Sequence, residues 1–452
     1  MHVPPLIEDM ARKFSGKLLL KSELNISEQR LNYLAKHGYI LGIPSIQTKF
    51  TLHKCFRCFN MKQSLFGKIP HQPKPIIYCK QCIQMGRTST LEPLYQWTGP
   101  KPTRHYPKNP LKWRGNLTHL QQRASIQLVK TIQQNDQLLI DAVCGAGKTE
   151  MLYEGITHAL QNHKRICLAT PRSDVVKELA PRLKHDFPTI HLAALYGGSP
   201  EQDLNSHLVI ATTHQLLRYQ NSFDVMIVDE VDAFPYHHDK MLPKAVRRAM
   251  KPDSATIYLT ATPRFKQKWL INTNQLPTVS IPARYHGHPL PIPSKQMLFR
   301  LTKQLEDEQL PPKITQWISS KQQTNRRFLL FVPTIALAEQ LATKLDLPYV
   351  HAESPDRHHL IQQFRTQSTS ALITTTILER GVTFPSIDVA VIQADHHVFD
   401  EAALIQIAGR AGRSAQDPTG DVTFFYEQTT EAINRATTYA IRKNLEAKGQ
   451  SS

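Results

Sequence analysis

The middle of the chain alternates short apolar runs with longer amphipathic stretches such as RSDVVKELAPRLKHD, in which apolar residues recur with a helical period. Each run has the length of a strand. The runs are QLLIDAV (137–143), RICLAT (165–170), HLVIATT (207–213), FDVMIVDE (223–230) and ATIYLTAT (255–262). Strands that alternate with helices predict a parallel sheet covered by helices on both faces.

The last third of the chain repeats this pattern around a helical stretch, IALAEQLATKLD. Its apolar runs are RRFLLFVPT, PYVHAE, SALITTT, IDVAVIQAD and VTFFYEQ. Two α/β layers in tandem leave a cleft between them. The pattern therefore predicts an α/β protein with two consecutive parallel-sheet domains.

Two proline-rich stretches divide the chain of 452 residues into three parts. KPTRHYPKNPLKWRG (101–115) contains three prolines, and IPARYHGHPLPIPSK (281–295) contains four. Proline removes a backbone donor and discourages regular structure, so both stretches are expected to be linkers. The predicted parts are an N-terminal region (1–110), a first domain (111–284) and a second domain (290–452).

The composition favours a partner with many negative charges. Lysine and arginine total 55 against 37 aspartates and glutamates, a net charge of +18. Nucleic acid is the leading candidate and anionic lipid headgroups are the second, while a merely soluble basic protein stays an alternative. We see no apolar run of membrane-spanning length and no signal peptide, and six cysteines are too few for a disulfide scaffold. These features predict a reducing, cytoplasmic location.

AVCGAGKT (142–149) follows a predicted strand and opens a predicted helix, which is the setting of a phosphate-binding loop. Its glycines let backbone N–H groups converge on phosphate oxygens at a helix N-terminus. Lys148 is expected to reach the β and γ phosphates, and the Thr149 hydroxyl to hold Mg²⁺. The predicted nucleotide-binding residues of the loop are Gly145, Ala146, Gly147, Lys148 and Thr149.

VMIVDEVDAF (225–234) supplies two carboxylates at the end of another apolar run. Asp229 is expected to bind the magnesium ion, and Glu230 to orient the water that attacks the phosphate. The alternative is that both are surface carboxylates that cap the next helix.

CFRC (55–58) and CKQC (79–82) are paired C-x₂-C units with twenty residues between them. This spacing predicts a structural zinc site with Cys55, Cys58, Cys79 and Cys82 as its four ligands. An iron–sulfur cluster and a redox dithiol remain alternatives.

Seven motifs occur in the order of the superfamily 2 helicases, which the chain resembles from about residue 112 to 427. They are AVCGAGKT, ATPR, TTHQLLR, DEVD, TAT, TTTILERGVTFP and QIAGRAGR. The resemblance implies two RecA-like domains that hydrolyse ATP and move on nucleic acid. It implies that Gln121 reads adenine, that Gly381 lies at the nucleotide, and that Arg410 and Arg413 reach across the cleft to the γ-phosphate. It also implies that Thr260 and Thr262 couple the nucleotide to the strand-binding face.

A motor must hold its track, and contacts to phosphates give a grip that does not depend on sequence. The residues expected to contact nucleic acid are Arg172, Thr213, His214 and Thr376. For Arg172 a pairing on its own helix is the alternative. The first linker mixes His105, Tyr106 and Trp113 with five cations, which suits base stacking or, equally, a solvated hinge.

Among superfamily 2 proteins, a four-cysteine module before the motor, together with AVCGAGKTE, DEVDAFP and TTTILERGVTFP, resembles the ComFA family of late-competence proteins. The resemblance covers nearly the whole chain. It implies an ATPase stimulated by single-stranded DNA that drives DNA uptake at the inner face of the membrane, with ComFC and a DNA-uptake channel as partners and oligomers among its forms. The alternatives are a primosomal replication-restart helicase, an RNA helicase, and a nucleic-acid-binding adaptor with weak ATPase.

Overall fold

The N-terminal region is a small α+β unit with a three-stranded antiparallel sheet in the order β1-β7-β2 and two hairpins, β3-β4 and β5-β6. The computed structural model describes residues 4–71 and 73–450. The elements of this region are α1 (Pro5–Phe14), β1 (Leu18–Leu19), α2 (Lys21–Leu24), α3 (Glu28–Lys36), β2 (Ile40–Ile43), β3 (Ile46–Lys49), β4 (Leu52–Cys55), β5 (Phe66–Ile69), β6 (Ile76–Cys79) and β7 (Leu94–Trp97), with 3₁₀ turns at Gln63–Leu65 and Ile83–Met85.

The first lobe is a seven-stranded, wholly parallel sheet in the order β10-β11-β9-β12-β13-β8-β14. Its elements are α4 (His119–Gln134), β8 (Gln137–Ala142), α5 (Lys148–Met151), α6 (Tyr153–Gln161), β9 (Ile166–Thr170), α7 (Ser173–Asp186), β10 (Leu192–Leu195), β11 (Leu208–Thr212), β12 (Phe223–Val228), α8 (Met241–Ala249), β13 (Met250–Thr260), α9 (Phe265–Asn272) and β14 (Thr278–Ile281), with a 3₁₀ segment at Thr213–Arg218. All five predicted strands are present.

The second lobe is a six-stranded parallel sheet in the order β15-β20-β19-β16-β18-β17. Its elements are β15 (Ser294–Met297), α10 (Leu301–Glu306), α11 (Pro312–Gln323), β16 (Arg327–Phe331), α12 (Ile335–Leu345), β17 (Tyr349–Val350), α13 (Arg357–Arg365), β18 (Ala371–Thr374), β19 (Ile387–Ile392), α14 (Glu401–Ala408), β20 (Val422–Tyr426) and α15 (Glu431–Gln450), with a 3₁₀ turn at Thr376–Leu378. The predicted fold class, two parallel-sheet domains after a four-cysteine module, is confirmed.

The central strands of both sheets are buried on both faces, which explains their continuous apolar sequences. Every residue of β9, β11, β19 and β20 is buried. Helices cover the sheets, so the carboxyl ends of the strands are where loops and chemistry can gather.

The N-terminal region is not an independent appendage, because it shares a hydrophobic core with the first lobe. Ile46, Phe66 and Ile77 pack in one buried cluster with Val209 and Met226. The interface is also charged. The Glu23 carboxylate accepts hydrogen bonds from the fully buried Arg57 (2.7 Å) and from Arg218 of the first lobe (2.6 Å).

The stretch 101–115 lies against the first lobe, so the solvated hinge considered for it is wrong. The Tyr106 ring contacts His163 and His207 edge-on, at centroid distances of 5.0 and 4.8 Å. Arg104 donates a hydrogen bond to Asn205 O (3.2 Å), and Lys112 N donates one to Asp186 O (2.8 Å).

The C-terminal helix α15 belongs to the second lobe but also contacts the first. Lys443 is buried and its ammonium lies 2.8 Å from Asp141 Oδ2, in the strand that leads into the phosphate loop. The Tyr439 hydroxyl donates a hydrogen bond to Ala261 O (2.8 Å). The two lobes are therefore joined by packing of this helix as well as by the connecting chain.

Within the described ranges, 4–71 and 73–450, no helix is both long enough and apolar enough to cross a bilayer.

Candidate functional site

The phosphate loop joins the end of β8 to the start of α5, as its sequence predicts. Gly145 and Gly147 have φ angles of +80° and +72°, which side-chain-bearing residues adopt at a cost. A Cβ atom on Gly147 would also lie 2.3 Å from Gln121 Nε2. The loop thus requires glycine at this position both for its backbone conformation and for space.

A cleft of about 620 Å³ lies between the two lobes at this loop. Residues from both lobes line it. The predicted nucleotide-site residues on its wall are Gln121, Gly145, Ala146, Gly147, Lys148, Thr149, Glu230, Gly381, Arg410 and Arg413. Of the residues predicted for nucleotide chemistry, Asp229 alone is not a wall residue. It lies directly behind Glu230, whose backbone N–H donates to its Oδ1 (2.9 Å).

Gln121 is held against the phosphate loop. Its Nε2 donates to Ala146 O at 2.8 Å, while its Oε1 accepts from Thr118 N at 2.8 Å. The first turn of α4 is thereby fixed to the loop through one side chain.

The two acidic residues after β12 have unusual environments. Burial raises the pKa of the Asp229 carboxyl to about 6, although the Lys148 ammonium opposes the shift. Glu230 has a φ of +52°, a strained conformation for a residue with a side chain. Its buried Oε2 makes no hydrogen bond among the described residues. The Arg380 Nη1 atom lies 3.9 Å from this oxygen, an ion-pair distance without a hydrogen bond. A strained residue whose carboxylate oxygen has no hydrogen-bond donor on a cleft wall is typical of a group that positions a reactant.

A buried network that the sequence did not reveal connects this acidic loop to both lobes. Asp232 accepts hydrogen bonds from the Thr260 and Thr262 hydroxyls, each at 2.7 Å, and from Arg380 of the second lobe at 2.6 Å. Burial alone would raise the pKa of the Asp232 carboxyl, but Arg380 and the two hydroxyls hold it well below its usual range. Asp232 is the fourth letter of DEVD, and Arg380 lies in TTTILERGVTFP. Membership of these motifs was the only feature of the sequence that could have indicated a role for the two residues.

Arg410 and Arg413 of the second lobe differ in how they are held. Arg410 is 2% exposed and donates to the backbone carbonyls of Glu379 (2.9 Å) and Val382. Arg413 is half-buried, and its Nε donates to Gly409 O at 2.8 Å. Burial, and then the nearby Arg413, lower the pKa of Arg410 to about 9. Two guanidinium groups that repel each other beside a cleft are suited to receive an anion.

The second lobe also packs directly on the phosphate loop. The Cys144 thiol donates to Gln406 Oε1 at 3.0 Å. A Cβ atom on Gly409 would lie 2.4 Å from the Cys144 Cβ. Cys144 is therefore an interlobe contact.

Two further cleft residues, Trp113 and Tyr285, come from the two linkers, and Arg284 lies beside Tyr285 in the second linker. Trp113 and Tyr285 line the cleft, and Tyr285 N donates to Gly145 O at 2.9 Å. Arg284 is 2% exposed and donates to Gly412 O. Trp113, which belongs to the linker considered for base stacking or a solvated hinge, therefore lies on the wall of the interlobe cleft.

The residues predicted to contact nucleic acid fall into two groups. Arg172 lies 3.5 Å from Asp174 and also donates to Ile377 O in the second lobe, next to Thr376. Thr213 and His214 begin the 3₁₀ segment of the first lobe. Thr213 is fully buried, so its hydroxyl has no exposed surface with which to meet a phosphate.

The four predicted metal ligands form one buried cluster. The Sγ atoms of Cys55, Cys58, Cys79 and Cys82 all lie within 4.8 Å of one another. The Cys58–Cys79 and Cys55–Cys82 sulfurs are 3.5 and 3.8 Å apart. Tetrahedral zinc with Zn–S bonds of about 2.3 Å would separate its sulfurs by roughly 3.8 Å. The cluster is therefore compatible with a four-thiolate zinc site.

Three family models match successive parts of the chain. "Competence protein ComFA N-terminal domain" matches residues 6–96, "Type III restriction enzyme, res subunit" matches 114–265, and "Helicase conserved C-terminal domain" matches 309–415.

Two curated relatives align over nearly their whole lengths. The chain is 42% identical to the competence protein ComFA of Bacillus subtilis, over 94% of this chain and 93% of that protein. It is 36% identical to the competence protein ComFA of Streptococcus pneumoniae, over 96% and 98%.

Solved structures share the fold at low sequence identity. Saccharomyces cerevisiae Dbp5 bound to RNA and ADP BeF3 has a TM-score of 0.55 and 16% identity, covering 72% of this chain and 87% of that chain. RecG bound to a three-way DNA junction has a TM-score of 0.51 and 18% identity, covering 75% and 47%.

Proposed function

The chain belongs to the ComFA family of competence proteins and is a helicase-like ATPase, and from this premise we propose that it is a motor that moves on single-stranded DNA and drives DNA uptake in natural transformation. The observation that supports this proposal best is the interlobe cleft, which has the phosphate loop on one wall and Arg413 on the other. A site completed by two lobes can couple ATP hydrolysis to their relative movement.

The proposed chemistry assigns one task to each group. The backbone N–H groups of the loop and the Lys148 ammonium bind the phosphates, and Glu230 orients the attacking water. Arg413, supported by Arg410, meets the charge that develops on the γ-phosphate. Thr149 and Asp229 would hold Mg²⁺, which neutralises phosphate charge when bound.

The proposed coupling runs through the network around Asp232. Thr260 and Thr262 lie on the first lobe and Arg380 on the second, and all three donate to the same carboxylate. Separation of the lobes would leave that buried carboxylate without its cationic partner, which is costly. Closed and open arrangements would then differ by a discrete change in hydrogen bonding, which is what a two-state motor needs.

The nucleic-acid contacts proposed for Arg172, His214 and Thr376 place one strand across both lobes. Arg172 donates a hydrogen bond to the second lobe in this structure, and we propose that its guanidinium reaches phosphates when the lobes move apart. For Thr213 we propose a contact through the backbone. Binding to ComFC and to a DNA-uptake channel at the inner face of the membrane remains a prediction.

For the four cysteines we propose structural zinc, because four ligands fill a tetrahedral site and leave no open position for a reactant. The cations Arg57 and Arg248 lie beside this cluster, where they would offset the negative charge of four thiolates on one zinc ion. Arg248 donates to Phe56 O at 2.7 Å, and Phe56 lies between the first two cysteines.

The proposed function is tested by the rate of ATP hydrolysis with single-stranded DNA, duplex DNA and RNA, each at the same nucleotide concentration and salt. We expect single-stranded DNA to give the largest stimulation. A Glu230→Gln variant purified in the same way should still bind single-stranded DNA but show no turnover, which controls for contaminating ATPases. Stimulation by RNA alone would overturn the DNA motor, and no hydrolysis under any condition would instead favour an adaptor.

A further inference from the structure

Helix α9 presents aromatic side chains to solvent. Phe265 is 85% exposed and Trp269 is 51% exposed, and residues four apart lie on the same side of a helix. No residue of this helix is buried. Large aromatic groups gathered on an exposed surface mark an interaction site more often than a passive surface.

The same helix is positively charged. Lys266 and Lys268 are exposed, and the sequence contains no carboxylate between Asp253 and Glu306. Neither lysine forms a salt bridge in the described part of the chain, whereas the neighbouring Arg264 lies 3.1 Å from Asp400. Two free cations interleaved with two aromatic rings match the chemistry of a single strand, which offers phosphates and flat bases.

The position of α9 relates this surface to the interlobe cleft. The helix follows Thr260 and Thr262, so it begins at the carboxyl ends of the strands, where parallel sheets bind their ligands. Arg264, which precedes the helix, donates to Asp232 O at 3.1 Å and pairs with Asp400 of the second lobe. The surface therefore lies on the first lobe beside the seam between the two lobes.

We propose that Phe265, Lys266, Lys268 and Trp269, here called the α9 face, form a stacking platform for the bases of single-stranded DNA. The inference rests on the proposed function and adds a binding surface to it. Because all four residues belong to the first lobe, the platform keeps its grip whether the lobes are closed or apart. A motor needs such a hold on one lobe while the other releases the strand.

The test is the affinity of the full-length protein for fluorescently labelled single-stranded DNA at fixed salt. The double variant Phe265→Ala/Trp269→Ala should bind about 10- to 100-fold more weakly, because base–aromatic stacking contributes on that scale. Phe265→Tyr/Trp269→Phe, which keeps the rings, should bind within a few-fold of the parent. Phe50→Ala serves as a matched control, since Phe50 is 91% exposed on the β3–β4 turn of the cysteine module.

The charges are tested by the salt dependence of the same binding. Lys266→Gln/Lys268→Gln should make the slope of log affinity against log salt shallower by about 1.4, because each contact to a single-strand phosphate contributes about 0.7. An unchanged slope would show that Lys266 and Lys268 do not contact DNA phosphates and would overturn their part in the platform.

The outcomes separate this inference from the proposed function. If the parent binds single-stranded DNA and the alanine double variant binds equally well, the α9 face is not a DNA platform and only this inference falls. If the parent does not bind single-stranded DNA, the proposed function and the platform fall together. Unchanged DNA affinity with altered sedimentation of the variant would assign the face to self-association and also overturn the inference.

Discussion

An Arg413→Ala variant is expected to bind ATP but to hydrolyse it about 10³- to 10⁵-fold more slowly than the parent, the range by which an arginine at the γ-phosphate accelerates phosphoryl transfer. Arg413 is the stronger candidate of the arginine pair. The Arg410 guanidinium donates hydrogen bonds to two backbone carbonyls of its own lobe. The Arg413 guanidinium donates to Gly409 O through Nε, so its two Nη groups can still donate to a phosphate.

The measurement is single-turnover hydrolysis, with nucleotide affinity determined separately by a fluorescent ATP analogue. Arg435→Ala is the control, because that arginine is on the same lobe but is 58% exposed and pairs with Glu401 and Glu431. A hydrolysis rate for Arg413→Ala within tenfold of the parent rate would show that the second lobe does not complete the site.

Replacement of Cys79 by serine is expected to release zinc and to lower the melting temperature of the whole chain. Structural zinc contributes about 10–16 kcal/mol of apparent binding energy in small domains, which is comparable to the stability of a complete protein. The cluster lies in a core that the cysteine module shares with the first lobe. Loss of the metal should therefore destabilise the first lobe as well as the module.

Zinc and iron content per chain and thermal unfolding are measured together for the Cys79→Ser variant. Cys167→Ala is the matched control, since Cys167 is a fully buried thiol in β9 of the first lobe and is not part of the cluster. Full zinc content with an unchanged melting temperature in Cys79→Ser would refute the site. If the parent protein contains iron and no zinc, the four cysteines hold an iron–sulfur cluster and the zinc assignment is wrong.

The central strands of the two lobes could be predicted from sequence because parallel strands are buried on both faces and carry unbroken apolar runs. The edge strands β10, β14 and β15 were not predicted. The three-stranded sheet of the N-terminal region could not be predicted either. Its strand β1 has only two residues, and it pairs with β7, more than 70 residues further along the chain. Such short strands give no periodicity, and their pairing is decided by tertiary packing.

The candidate site shows the same division. The phosphate loop and the acidic pair are local motifs whose chemistry can be inferred from neighbouring letters. Asp232 and Arg380 are different, because their importance comes from a contact between residues 148 positions apart. The position of Trp113 on the cleft wall could not be predicted for the same reason, because a proline-rich, basic stretch has no local pattern that indicates which face it covers.

ATP hydrolysis in the interlobe cleft is proposed to move this protein along single-stranded DNA. The most direct measurement is a stopped-flow experiment on single strands of increasing length that carry a fluorophore at one end. We predict a lag before the fluorescence change that lengthens in proportion to strand length, requires ATP, and disappears with Glu230→Gln. A lag that does not depend on length, while ATP is being hydrolysed, would contradict translocation.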